Sequence, residues 1–230
     1  MDKRKIDIVF VIDGTGSMGP CIDKVKDAAK TFYQKFNEEM VLMGSEVTSL
    51  RIKTITFRDY KDDGDQAMVE TTFRELPTDV TDFENDLASI YATGGGDIPE
   101  NGLEALHLAF CSKFNTNGMK DRQVIVLFTD ADALPLKDPE RVTNPIYPED
   151  MVDEAGLIDE WIMASQEHAQ KIKLNRKAKR LVVYAPKGSK YEAIASSLPG
   201  SNFVPVELSS GLVEFDFSDV IKIIAASASN

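Results

Sequence analysis

Three short stretches of the chain carry carboxylates and hydroxyls at spacings that could gather them around a cation. Asp13-Gly14-Thr15-Gly16-Ser17-Met18-Gly19 follows an apolar run. Its Asp13, Thr15 and Ser17 alternate, so their oxygens can face one way from an extended turn. Thr93-Gly94-Gly95-Gly96-Asp97-Ile98-Pro99-Glu100 contributes Asp97, and Thr129-Asp130-Ala131-Asp132, closing another apolar run, contributes Asp130. Oxygen ligands with a few retained waters suit Mg2+ or Mn2+.

Other chemistries compete for the same residues. Gly14, Gly16 and Gly19 match the Gly-x-Gly-x-x-Gly turn of dinucleotide sites. Asp13, however, places a negative charge where a pyrophosphate would sit. The acidic residue that should end a second strand about 20 residues on falls instead within a helical pattern. An Asp-x-Asp phosphatase needs a second carboxylate at position 15, which Thr15 occupies. A different magnesium-dependent phosphohydrolase using this cluster is the alternative reading. Asp97-x-x-Glu100 is also a capping-box pattern, with Pro99 suited to a first helical turn; one carboxylate can both cap and ligate.

The remaining candidates read as structural. Cys21 is a small filler in the first turn of a helix, and His107, Cys111 and His168 lack a third partner at catalytic spacing. Asp59, Asp62, Asp63 and Asp65 lack the twelve-residue calcium loop ending in Glu and read as a solvated hairpin turn. Asp132 reads as a solvated loop charge.

The elements that must position these residues follow from periodicity. Ile6–Ile12 is almost wholly apolar, as a strand covered on both faces is, and Gln123–Phe128 repeats that signature. Ile22, Val25, Ala29, Phe32, Phe36, Met40 and Met43 trace one face of a long helix that Pro20 opens. A strand at 49–57 and another at 68–76 form an antiparallel pair, and helices are expected at 82–91 and 99–114. Residues 133–150, with Pro135, Pro139, Pro145 and Pro148, form a long ordered loop. Met151 to Ile172 forms another long helix. Strand 180–184, helix 190–198, strand 202–206 and a helix near 217–226 complete the chain. This alternation predicts one doubly wound α/β domain over 1–230, mostly parallel with one antiparallel edge hairpin.

Composition sets limits on function. The 26 Lys and Arg against 38 Asp and Glu give a net charge of −12, which disfavours nucleic-acid binding. No apolar run approaches the roughly 18 residues of a membrane helix. The start, Met1-Asp2-Lys3-Arg4-Lys5, leads to Asp13 too soon for a signal peptide, and two cysteines make no disulfide framework. A cytoplasmic protein is expected.

The Asp13-x-Thr15-x-Ser17 motif after the first apolar strand resembles the Asp-x-Ser-x-Ser signature of von Willebrand factor A domains, and the likeness extends over nearly the whole chain. It implies a metal-ion-dependent adhesion site with Asp13, Thr15 and Ser17 from the first loop, Asp97 at the second-loop ligand position before Gly102, and Asp130 from the third. Thr15 in place of Ser keeps the hydroxyl, whereas Asp97 in place of the usual Thr adds a charge. Phe57-Arg58-Asp59-Tyr60 and the Gly-Gly-Gly-Asp run are similar to intracellular members, including domains beside alpha-type kinases. The resemblance implies a non-enzymatic module whose bound Mg2+ or Mn2+ accepts an Asp or Glu of a protein partner.

Overall fold

A computed structural model describes residues 1–94, 99–115, 118–163, 172, 174–210, 212–214 and 216–229. Its centre is β1 (Asp2–Asp13), flanked by β2 (Ser45–Phe57) and β5 (Arg122–Phe128), with β6 (Lys179–Pro186) and β7 (Ser201–Val206) extending the sheet. Pairings β1–β2, β1–β5, β5–β6 and β6–β7 are parallel. On the other edge β3 (Met68–Glu70) and β4 (Arg74–Leu76) both run antiparallel to β2. The single strand expected at 68–76 is therefore broken. At the break the Thr54 amide donates to Thr71 Oγ1 (2.9 Å), so a side chain replaces a ladder bond.

Alternation along β1 explains the two layers. Ile6, Ile8, Phe10 and Ile12 pack beneath α1 (Gly19–Leu42), α2 (Val80–Ala88) and the C-terminal α6 (Phe217–Ser229). Val9 and Val11 face α3 (Gly102–Phe110), α4 (Glu154–Ile162) and α5 (Lys190–Ser197). Where the strand is covered on both sides it has no polar face, which is why Ile8–Ile12 is an unbroken apolar run. Gly102 lets α3 lie close to the sheet: a Cβ there would stand 2.0 Å from the Tyr191 hydroxyl oxygen and 2.9 Å from Phe57. At the N-terminal end of the sheet, the Arg4 guanidinium donates to the Ser229 carbonyl (2.6 Å) and to the Lys120 carbonyl (3.1 Å).

Two helices differ from expectation. Helix α3 starts at Gly102, with Asn101 before it, rather than at Pro99. Backbone pairing withholds Glu100 from the helix, because its amide donates to Asp132 O and its carbonyl accepts from Leu134 N, each at 2.9 Å. The long helix expected from Met151 begins at Glu154, where Asp153 accepts the Gly156 amide, and its first segment closes at Met163 in a left-handed cap. Residues 164–171, which include His168, lie outside the described part.

The proline-bearing stretch 133–150 is a tightly attached strap. Arg141 donates to buried Asp59 (2.6 Å), Asn144 to the Tyr60 carbonyl (2.7 Å), and the Tyr147 hydroxyl to Glu104 (3.1 Å). The Tyr60 and Tyr147 rings meet edge to face at 4.9 Å. Asp59 is thus fully buried in an ion pair and is not part of a solvated turn, although Asp62 and Asp65 are exposed.

Candidate functional site

Strands β1 and β5 end side by side, and their following loops form a small polar cradle. Asp13, the last residue of β1, is fully buried. Its Oδ1 accepts from the Thr15 amide (2.9 Å) and hydroxyl (2.6 Å), and its Oδ2 accepts from the Thr129 hydroxyl (2.7 Å). Ser17 lies exposed in the short 3-10 turn Gly16–Met18 that leads into α1. From there it donates to Asp130 Oδ1 at 2.9 Å, bridging the two loops. The Thr15 and Ser17 hydroxyl oxygens stand 3.5 Å apart.

Asp13, Thr15, Ser17 and Asp130 are therefore brought together. Asp97 lies outside the described residues. Helix α3 begins at Gly102, with Asn101 at the cap position. Asp132 is not a free loop charge. Its carboxylate accepts the Lys190 amide (2.8 Å) at the start of α5, tying the loop after β5 to the loop after the adjacent β6.

The first-loop glycine also has a definite use. A Cβ on Gly14 would stand 2.6 Å from Thr56 and 2.9 Å from the Arg58 guanidinium carbon. Close packing by protein, not by a pyrophosphate, occupies the space that glycine opens. Arg58 donates to the carbonyls of Gly14 (3.0 Å), Thr93 (2.9 Å), Gln66 (2.9 Å) and Tyr91 (2.6 Å). It thereby holds the first loop, the approach to the second, and the hairpin turn in one arrangement.

Electrostatics at this end of the sheet are unfavourable to anions. Burial pushes Asp13 up to about 6, against the hydrogen bonds from Thr15 and Thr129, and the Asp130 charge adds to the rise. Burial pushes Glu100 up to about 9, with Asp13, then Asp59 and Asp63, the nearest charges acting in the same direction. Glu100 is 3% exposed, and its Oε2 has no hydrogen-bond partner among the described residues. Sequence reasoning placed Glu100 only in a helix cap. Its proximity to Asp13 depends on the 100–134 pairing, which no local pattern announces.

The oxygen set fits a small hard cation. Neighbouring ligands of an octahedral Mg2+ at about 2.1 Å stand about 3.0 Å apart, close to the 2.9 Å Ser17–Asp130 separation. The hydroxyl protons now directed at the carboxylates would turn outward if a cation faced the same oxygens. Among the described residues no three His, Cys, Asp or Glu side chains converge closely enough to hold a metal by themselves. The described donors are two carboxylates and two hydroxyls, a set in which Mg2+ would keep some of its waters.

An open, mostly parallel sheet with a hydroxyl–carboxylate cradle at the ends of its central strands defines the structural class. The family model described as the von Willebrand factor A domain matches residues 7–205, and the chain belongs to that family. Among solved structures it is similar to the pilus adhesin SpaC of Lactobacillus rhamnosus GG, with a TM-score of 0.53 and 11% identity over 98% of this chain. A second SpaC structure, in an open conformation, gives 0.50 and 11% over 98%. The chain spans 31% and 30% of those adhesin chains, and at this identity the likeness is one of fold. No curated protein matches the sequence. Among the described residues no helix is long and apolar enough to cross a membrane.

Proposed function

We propose that the protein binds Mg2+ or Mn2+ through Asp13, Thr15, Ser17 and Asp130, with Asp97 completing the set, and uses the ion to dock a protein partner. Domains of this family typically serve protein interaction. The Ser17–Asp130 hydrogen bond (2.9 Å) is the observation that carries the reading, because it joins two loops 113 residues apart into one donor set. Glu100 supports it: among the described residues one oxygen of this buried carboxyl group has no hydrogen-bond partner, and with Asp13 acting on it this region is a favourable place for positive charge.

In this mechanism the cation supplies an open coordination position of positive charge on a chain whose net charge is −12. Asp13 and Asp130 would hold the ion, the Thr15 and Ser17 hydroxyls would present lone pairs, and Arg58 keeps the loops in register. An Asp or Glu of the partner would take the open position. Asp97 rests on the sequence motif; its charge would tighten the ion while weakening its pull on a partner carboxylate. The cytoplasmic setting expected from the sequence belongs to the same reading.

Calorimetric titration with Mn2+ tests the proposal. Asp13→Ala should lower affinity at least tenfold while leaving the circular dichroism spectrum unchanged. An unchanged titration removes the first loop from the site. Adding a Glu-containing peptide to the Mn2+-loaded protein should alter the proton relaxation of the ion's waters. Metal-dependent phosphate release from an aryl phosphate would instead establish the phosphohydrolase reading.

A further inference from the structure

On the α3–α4 side of the sheet, well away from the cradle's hydrogen-bonded residues, His107 brings together groups from three elements. His107 is fully buried within α3, and its Nδ1 stands 2.8 Å from Glu160 Oε2 of α4. Its Nε2 stands 3.8 Å from the Cys111 sulfur, one turn further along, and 3.6 Å from Asp150 Oδ1 of the strap. The order carboxylate–imidazole–thiol is the arrangement that activates cysteine nucleophiles: the carboxylate orients the ring, and the far nitrogen takes the thiol proton. The missing third partner, 53 residues away in sequence, is Glu160.

The thiol has an approach. Cys111 is partly exposed and lines a groove of about 360 Å³ together with Lys53, Glu70, Phe73, Leu108 and Lys113. Lys53 Nζ is bonded to Glu70 (2.6 Å) and Ser112 (3.1 Å), whereas Lys113 is exposed. With Lys53 paired to Glu70, Lys113 is the exposed cation of the groove lining, and Asp150 stands at the His107 ring. Cys21, by contrast, is fully buried and its thiol is pushed up to about 12 by burial. The two cysteines thus differ sharply in access.

We propose that Cys111 is a reactive thiol that forms mixed disulfides with anionic low-molecular-weight disulfides of the glutathione type. The Cys111 proton passes to His107 Nε2 while Nδ1–H donates to Glu160. The thiolate attacks one sulfur of the disulfide, a new bond forms to Cys111, and the original S–S bond breaks. The departing thiolate takes the proton from His107 and leaves as a thiol. The protein thiol is oxidised and the small disulfide reduced, with no further reagent. Lys113 attracts the carboxylates of the incoming molecule, and Glu160 acts as a positioning residue through His107.

The test uses the full chain and oxidised glutathione, with adducts located by mass spectrometry. At pH 7 Cys111 should be modified at least tenfold faster than the cysteine of an unstructured peptide, while Cys21 stays unmodified. Between pH 8 and pH 6 its rate should fall less than tenfold, whereas the peptide's falls with its thiolate fraction, close to tenfold per unit. Glu160→Gln should steepen that profile and His107→Gln should steepen it further. Because both positions are buried, an exposed variant provides an independent arm. Lys113→Gln should lower the rate with oxidised glutathione at least threefold relative to neutral 2-hydroxyethyl disulfide. A wild-type rate and pH profile equal to those of the peptide would overturn the proposal, as would preferential modification of Cys21.

Discussion

Asp13 is bound by hydroxyl and amide donors on both oxygens and is still raised to about 6, because burial outweighs those bonds. Losing one hydroxyl should therefore be felt. Thr15→Val, assayed by urea unfolding in EDTA, should cost about 1 kcal/mol, the net worth of one hydrogen bond. It should also weaken Mn2+ binding less than Asp13→Ala does, since it removes a neutral oxygen and keeps the shape. Glu104 gives a pH-dependent counterpart. Burial lifts it to about 7, against the hydrogen bonds from Asn101 and Tyr147. Its folded value lies above its ordinary 4.5, so the folded state binds the extra proton between those values. Stability from this group is greatest in acid and declines as pH rises from about 4.5 to about 7. Glu104→Gln keeps the oxygen that Asn101 and Tyr147 use and cannot ionise. Urea midpoints measured at pH 5 and pH 8 should shift in favour of the glutamine variant at pH 8.

Arg58 does for the loops what the sheet does for the strands. Arg58→Ala leaves four carbonyls from three segments without their donor, and a cost of about 3 kcal/mol in chemical denaturation is expected. Mn2+ affinity should fall as well, because Arg58 holds the loop that carries Thr15 and Ser17 and its charge acts on Asp13. Arg58→Lys should not restore either property, because one ammonium cannot span what the guanidinium fork reaches. The elements themselves were largely legible. The Ile8–Ile12 run of β1 and the Val124–Phe128 run of β5 are apolar because helices cover both faces, and the Ile22-to-Met40 stripe of α1 lies buried as its spacing required. What could not be read depends on pairings distant in sequence. The start of α3 is set by Glu100 meeting residues 132–134, and the break after β3 by a threonine side chain. Asp59 is buried because Arg141, 82 residues on, reaches it. At the candidate site the residue types were visible, but the Ser17–Asp130 link exists only once the two strands lie adjacent, and the burial of Glu100 depends on its bridge to Ala133.

For the whole molecule, cation binding would be read as stability. Mg2+ at about 100 times its dissociation constant should add about 2.7 kcal/mol, or about 5–10 °C in melting temperature for a chain of this size. Thermal melts in Mg2+ and in EDTA should therefore separate, and Asp13→Ala should bring them together. The clasp between Arg4 and the Ser229 carbonyl carries a different implication. It brings the first residues of β1 and the last turn of α6 together at one pole of the sheet. Asp13 lies at the other, about 30 Å away at the rise of a strand. A surface anchor or fluorescent fusion attached at either end would thus leave the cradle facing outward.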